Sequence, residues 1–274
     1  MIANAKVAVV TGGGHGIGRA LCRRLAQDNI KVVVADLDVE AAQAVAFKIG
    51  GIAMSVDVGD EQSMTAMIDA VEDTVGPIDV FFSNAGVVFG DGKTGSASPD
   101  GVLAPVDDRW ETSWRVNVMA HVYAARVLVP RMVKRGGGYI VSTVSAAGLL
   151  SSIGDAAYSV TKHAAVGFAE ALAIRHGDEG IKVSMVCPQA VATRMLELAV
   201  GPGAEENVFG GADADGIMTP EQVADCVVAG VANGQFLIVP HPEVLGYFQR
   251  KAGDYDRWIS GMRRFRRKLS GNLE

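Results

Sequence analysis

Seven short runs of β-branched and apolar residues recur along the chain, each followed by a longer stretch, and this alternation limits the architecture more than any other feature. The runs span residues 6–11, 31–36, 52–58, 78–83, 139–144, 182–187 and 236–239. They are nearly continuous in apolar character, as strands must be when both faces of a parallel sheet are covered. Helical spacing marks 17–28, 39–49, 61–75, 109–135, 156–178 and 220–233. Strand–helix–strand repeats of this length close by right-handed crossovers. The pattern predicts an α/β fold, a doubly wound parallel sheet of seven strands with helices on both faces. No linker-like composition interrupts it, so residues 1–246 are expected to form one domain.

Two stretches break the rhythm, 84–108 and 188–219, the second containing GPGAEENVFGGADADG. Each follows a predicted strand and so emerges at the carboxyl edge of the sheet, where open α/β sheets take ligands. Loops this long in a compact domain serve as lids or mobile segments; the tip 91–100 reads equally as a tolerated insertion. The last segment, 247–274, has eight Lys/Arg against three Asp/Glu. Its net +5 leaves −11 on the rest of a chain whose formal charge is −6. Tyr255, Trp258, Met262, Phe265 and Leu269 fall on one stripe of a helix. A helix docked on the body or on another subunit is expected, with its basic face in water, in preference to one lying on a membrane.

Overall acidity argues against a general nucleic-acid binder. No run approaches the length of a transmembrane helix, and the N-terminus enters a strand-like run at once, leaving no room for a signal peptide. Cys22, Cys187 and Cys226 lie far apart, with no CxxC pair and no His at ligand spacing. They read as buried thiols of a reducing compartment, with neither disulfide nor metal. The expectation is a soluble cytoplasmic protein with no nucleic-acid or membrane partner.

The first strand runs into Thr11-Gly12-Gly13-Gly14-His15-Gly16-Ile17-Gly18, where a helix begins. Glycines there let the backbone approach a pyrophosphate, and the helix N-terminus offers unpaired N–H groups to its charge. No Walker Lys-Ser/Thr pair follows, which argues against a nucleoside-triphosphatase. Asp36 closes the second strand, where a carboxylate can accept from adenosine ribose hydroxyls and repel a 2′-phosphate. Leu37 and Asp38 follow, with no Arg to receive that phosphate, and His15 stands where a cation could have helped. Asp38 is better placed to cap the next helix, leaving Asp36 for the ribose, so NAD is expected over NADP.

Tyr158 and Lys162 stand at i and i+4 on one predicted helix face. An isolated Tyr titrates near pH 10, and a nearby cation favours the phenolate. Ser145, just past the fifth strand, can polarise a carbonyl or hold an alcohol beside that phenol; Ser142 and Thr143 are competing hydroxyls. No GxSxG elbow is present, and neither His163 nor His176 has the setting of a hydrolase triad.

Taken together, TGGGHGIG, Asn84-Ala85-Gly86, Asn117, Ser145 and Tyr158-x-x-x-Lys162 resemble the short-chain dehydrogenase/reductase family in order and spacing over about residues 6–240. The resemblance implies a Rossmann-type domain, assembled as a homotetramer or homodimer, acting on a small-molecule alcohol or ketone. It implies a catalytic tetrad of Asn117, Ser145, Tyr158 and Lys162, in which Tyr158 exchanges the proton while hydride moves to or from nicotinamide C4. Lys162 would hold the nicotinamide ribose and lower the Tyr158 pKa, and Asn117 would anchor a water relaying protons to Lys162. Gly12, Gly14, His15, Gly16, Ile17 and Gly18 would take the pyrophosphate side, and Asp36 and Leu37 the adenosine ribose. Asp57 and Val58 would flank the adenine, while Asn84, Ala85 and Gly86 line the ribose and phosphate path. Pro188, Val191 and Thr193 would meet the nicotinamide. Gln189 departs from the family's usual Gly after that proline. Val88, Phe89, Leu149, Leu150, Met195 and Leu196 are expected to wall an apolar substrate pocket, with Arg194 the one charge nearby. Alternatives are a reductase of 3-oxoacyl thioesters, for which Asp36 is a poor fit, and a nucleotide-sensing regulator, which would not need the tetrad.

Overall fold

A computed structural model of the chain describes residues 5–89, 108–195 and 215–269. Its strands are β1 (Val7–Thr11), β2 (Lys31–Asp36), β3 (Ile52–Ser55), β4 (Val80–Ser83), β5 (Gly138–Thr143), β6 (Ile181–Val186) and β7 (Leu237–Ile238). They form one parallel sheet in the order β3-β2-β1-β4-β5-β6-β7. The winding reverses between β1 and β4, and the crevice at that switch point is where such sheets bind ligands.

Successive side chains of a strand face opposite ways, and here both faces are covered. Val9, Phe81 and Ile140 join one buried cluster, with Met64 and Ile68 of α3 (Glu61–Thr74), Leu128 of α5 (Ala120–Lys134) and Ala169 of α7 (Ala156–His176). Val10, Phe82 and Val141 join the other. That face packs Leu21 of α1 (Gly16–Ala26), Val45 of α2 (Val39–Ile49) and Val227 of α8 (Pro220–Ala232). The unbroken apolar strands follow from this double covering.

Some boundaries differ from the sequence expectation. β3 stops at Ser55, so Asp57 and Val58 lie in the loop beyond it. The helix expected over 109–135 is three pieces: α4 (Asp108–Trp114), a π-helical turn (Arg115–Met119) and α5. Such turns occur mostly as single bulges at functional sites, and this one carries Asn117. A short α6 (Ala147–Leu150) and α9 (Glu243–Gly253) were not anticipated, and α9 runs across position 246–247. Of the long segment 188–219, the described ends meet: Val191 pairs with Met218 in a short parallel bridge. Its centre, the tip 91–100 and Leu196 lie outside the described residues.

Within the basic tail, α10 (Tyr255–Leu269) turns Trp258, Met262 and Phe265, three of the five stripe residues, toward the body. Trp258 packs against the core, and Trp258, Met262 and Phe265 reach the wall of the main cavity. Arg263, Arg264, Arg266 and Lys268 face outward. Tyr255 is exposed, with the Lys251 ammonium 5.5 Å from its ring centroid; the Leu269 side chain lies outside those described. Lys251 itself is buried and donates to the Leu149 carbonyl at 2.6 Å, tying α9 to α6. The three cysteines are free, Cys22 and Cys187 buried and Cys226 partly so.

Candidate active site

The first turn after β1 needs its glycines for two different reasons. Gly12 and Gly16 adopt φ of +63° and +47°, a region that L side chains avoid. Gly18 has no room for a side chain, since a Cβ there would stand 2.1 Å from the Gly12 carbonyl oxygen. The result is a bare backbone cradle at the N-terminus of α1. Thr11 locks it to the neighbouring strands. Its Oγ1 accepts from Asn84 N–H at 2.9 Å, and its carbonyl accepts from Asn84 Nδ2 at 2.9 Å. Thr143 Oγ1 then donates to Asn84 Oδ1 at 3.1 Å. The ends of β1, β4 and β5 are thereby held together under the crevice.

Asp38 caps α2, accepting from Ala41 N–H at 3.0 Å, and lies 3.1 Å from His15 Nε2. Asp36 is more engaged than the sequence suggested. Its Oδ2 accepts from Gly14 N–H at 2.8 Å and its Oδ1 from Asp38 N–H at 3.0 Å. Each carboxylate oxygen retains a further lone pair, so these bonds orient the group and leave it able to accept more. Gly14 acts through that bond and does not line the cavity. Its α-carbon also lies against α2, where a Cβ would come within 2.8 Å of Ala41 Cβ.

At the other end, Asp155 caps α7 by accepting from Tyr158 N–H at 2.7 Å. Ser145 stands beside Tyr158 on the cavity wall, close enough to lower the pKa of the Tyr158 hydroxyl. Lys162, buried, extends its Nζ to the Thr143 carbonyl at 3.2 Å and lies 5.5 Å from the Tyr158 ring centroid. Burial pushes the Tyr158 hydroxyl up to about 12, against the lowering effect of Ser145. Burial also draws the Lys162 ammonium down to about 8. The expectation that Lys162 brings the phenol toward neutrality is therefore not met in the protein alone: the cation faces the ring, and desolvation outweighs it.

Asn117 sits fully buried behind this pair. Its Oδ1 accepts from Val87 N–H at 2.9 Å, and its Nδ2 donates to the Val87 carbonyl at 2.9 Å and to Thr161 Oγ1 at 3.2 Å. The side chain thus fixes the strand exit after β4 to α7.

One turn further along lies His121, 3% exposed, with neither ring nitrogen hydrogen-bonded among the described residues. An isolated histidine within an apolar helix carries no motif, so the sequence alone does not single it out. Burial, reinforced by the Lys162 charge, lowers its pKa from 6.5 to about 3. Unfolded chains therefore take up a proton that the folded protein refuses, and stability falls as pH drops below 6.5 toward 3. Between pH 6.5 and 4.5 this one group removes roughly 2–3 kcal/mol. His121→Leu is expected to flatten that part of the stability–pH curve in denaturant titrations. An unchanged slope would show that His121 does not titrate on unfolding.

One cavity of about 900 Å³ collects these parts. Every expected cofactor-binding residue except Gly14 lines it, together with Ser145. Val88, Leu150, Met195 and Arg194 line it too, whereas Leu149 is buried in the core and Phe89 is partly exposed elsewhere. Sequence reasoning missed the contributions of Tyr247, Arg250 and the α10 stripe, which are distant in the chain.

The family described as short chain dehydrogenase matches residues 6–200. The chain belongs to that family. It is 33% identical over 198 residues to cyclohexanol dehydrogenase of Acinetobacter sp. (strain SE19), covering 70% of this chain and 76% of the relative. To 1-deoxy-11-beta-hydroxypentalenate dehydrogenase of Streptomyces exfoliatus it is 32% identical over 261 residues, 93% of this chain and 90% of that one. Among solved structures, a short chain dehydrogenase/reductase from Burkholderia phymatum in complex with NAD aligns with a TM-score of 0.79 and 27% identity. The alignment covers 93% of this chain and 96% of that one. The chain is accordingly an oxidoreductase of the dehydrogenase class with a Rossmann-type fold. No helix among the described residues is long and apolar enough to cross a membrane.

Proposed function

We propose that the protein is an NAD(H)-dependent enzyme that interconverts an apolar secondary alcohol and its ketone. The observation that carries this reading is that Tyr158, Ser145 and Lys162 line the same cavity that the glycine cradle opens onto. A dinucleotide fits that cradle: its backbone at Gly12, Gly16 and Gly18 lines the cavity without side chains, and an oriented carboxylate stands at the end of β2. Held there, the nicotinamide would supply or accept the hydride at the carbinol carbon.

The chain's own residues handle the proton and the position. Tyr158 takes the alcohol proton or returns it to the ketone oxygen, and Ser145 holds that oxygen through its hydroxyl. Lys162, its ammonium buried against the Tyr158 ring, holds the nicotinamide ribose and places positive charge beside the forming phenolate. Both amide hydrogens of Asn117 are engaged, so it would anchor a relay water through an oxygen. Pro188, Val191 and Thr193 position the nicotinamide, and Asp57 and Val58 the adenine. The surroundings of the reacting carbon are apolar, from Val88, Leu150 and Met195. We take residues 1–246 as the catalytic unit, with Tyr247, Arg250, Trp258, Met262 and Phe265 from beyond it completing the cavity wall. A cytoplasmic homotetramer or homodimer is the assembly we infer. Support comes from half-exposed Trp114 and Val160 and from Ile174, 84% exposed, on α4 and α7.

The cofactor assignment rests on Asp36. A 2′-phosphate would lie against its carboxylate, and Leu37, 71% exposed, offers no charge to offset it. At about 4 Å and an effective dielectric near 20, unit like charges repel by roughly 4 kcal/mol. Solvent reduces this, and a preference for NAD of at least a hundredfold in kcat/KM is expected, about 2.7 kcal/mol. Asp36→Ala with Leu37→Arg should narrow or reverse the preference. Steady-state rates with both coenzymes decide it; equal use of NADP by the unmodified protein would show that Asp36 does not face the ribose.

A further inference from the structure

One part of the cavity wall is polar in a way that neither proton transfer nor nucleotide binding uses. Gln189, the departure noted after Pro188, keeps its backbone in place by donating its N–H to His241 Nδ1 at 3.1 Å. His241 is itself 2% exposed and packed inside the fold. Gln189 lines the cavity, and its Oε1 is buried with no hydrogen-bond partner among the described residues. Asp215 lines the same cavity. Its Oδ1 accepts from the Tyr247 hydroxyl at 2.7 Å, while its Oδ2 is buried and equally without a partner among them. Two residues from the two ends of the segment 188–219, each with a buried acceptor lacking a partner among the described residues, thus line the cavity that also carries Tyr158 and Ser145.

A buried acceptor without a donor costs about 1–3 kcal/mol, more when it is charged. A ligand that brings a donor to this place recovers that cost, and one that is apolar there does not. The Arg250 guanidinium stacks 4.7 Å from the centroid of the Tyr247 ring, whose hydroxyl is the Asp215 donor, so a positive charge stands on the same part of the wall. That balance suits a neutral hydroxyl better than an ammonium. Around it, Leu150, Met195, Trp258, Met262 and Phe265 present apolar surface, which suits a hydrocarbon body. We propose that Asp215, helped by Gln189, binds a second hydroxyl of the substrate, remote from the carbon that reacts. The preferred substrate is then a bulky apolar alcohol or ketone with a further hydroxyl. This rests on the dehydrogenase reading above, which leaves the substrate's second functional group open.

Two matched pairs test it: cyclohexanol with a cyclohexanediol, and a steroid monoalcohol with the corresponding diol. For each, kcat/KM is read from NADH formation, and affinity for the enzyme–NADH complex is read by calorimetry. In at least one pair the unmodified protein should favour the diol tenfold or more, about 1.4 kcal/mol. Asp215→Ala should remove most of that ratio. Gln189→Ala, which keeps the backbone N–H on His241, should reduce it several-fold, with thermal melting confirming that both variants fold. Absence of a diol preference in both pairs, or equal losses on both members of a pair in the variants, would overturn the proposal by reducing Asp215 to a tie between α9 and its neighbour. If neither alcohol is oxidised, the dehydrogenase reading fails, and the calorimetric ratio still decides whether Asp215 holds a hydroxyl.

Discussion

Tyr158→Phe is expected to lower kcat by a thousandfold or more while NADH still binds within about fivefold of the unmodified protein. Losing a positioned general acid/base costs about 10²–10⁴ in rate. The other features of the site survive the change. The backbone N–H of residue 158 keeps its bond to Asp155, and the ring keeps its place beside the Lys162 ammonium. Only the hydroxyl disappears. The pH profile gives a second readout. With the hydroxyl pushed up to about 12 in the protein alone, alcohol oxidation should accelerate with rising pH and ketone reduction should favour lower pH. That limb belongs to the coupled Tyr158–Lys162 pair. Stopped-flow or steady-state absorbance at NADH wavelengths, with fluorescence titration for binding, checks both. Near-normal turnover in the variant would remove Tyr158 from the chemistry.

The fold was legible because burial on two faces writes itself into composition. Val9 and Val10, or Phe81 and Phe82, are adjacent apolar residues that enter opposite cores, a pattern few other architectures require. The nucleotide cradle was legible for a related reason, since a positive φ at Gly12 and a forbidden Cβ at Gly18 are demands that only glycine meets. What the sequence hid were contacts without a local signature. Nothing in the helix of 109–135 announced a π turn; it accompanies the bonds that Asn117 makes to Val87 and Thr161, 30 and 44 residues away. The bonds holding Asp36 and the burial of Lys162 depend on which loops close over them, so spacing could place these residues but not state their charge. The α10 stripe could be seen to dock, yet nothing in its spacing says that Trp258, Met262 and Phe265 reach the wall of this cavity, formed with residues far away in the chain.

Lys162→Met should inactivate the enzyme and at the same time make the protein more stable at neutral pH. The ammonium is 3% exposed, and burial draws it down from 10.5 to about 8. Below pH 8 the folded state carries a charge that the unfolded chain would hold in water, and this costs about 3 kcal/mol. As pH rises from 8 toward 10.5 the folded side chain loses its proton before the unfolded one does, so the cost shrinks. Methionine fills much the same apolar path without a charge. It forfeits the bond to the Thr143 carbonyl, made at 3.2 Å in the parent, which offsets about 1 kcal/mol of the gain. A net gain of roughly 2 kcal/mol corresponds to a melting temperature higher by about 4–8 °C for a chain of this size. Turnover should fall by two orders of magnitude or more, because the variant has no cation beside the phenolate and no donor for the ribose. The difference in melting temperature between variant and parent, measured at pH 7 and again near pH 9.5, separates this account from a generic packing effect. It should contract at the higher pH. A variant equal to or less stable than its parent at pH 7 would mean that the buried ammonium is fully compensated where it stands, and that the site stores no free energy in holding its charge.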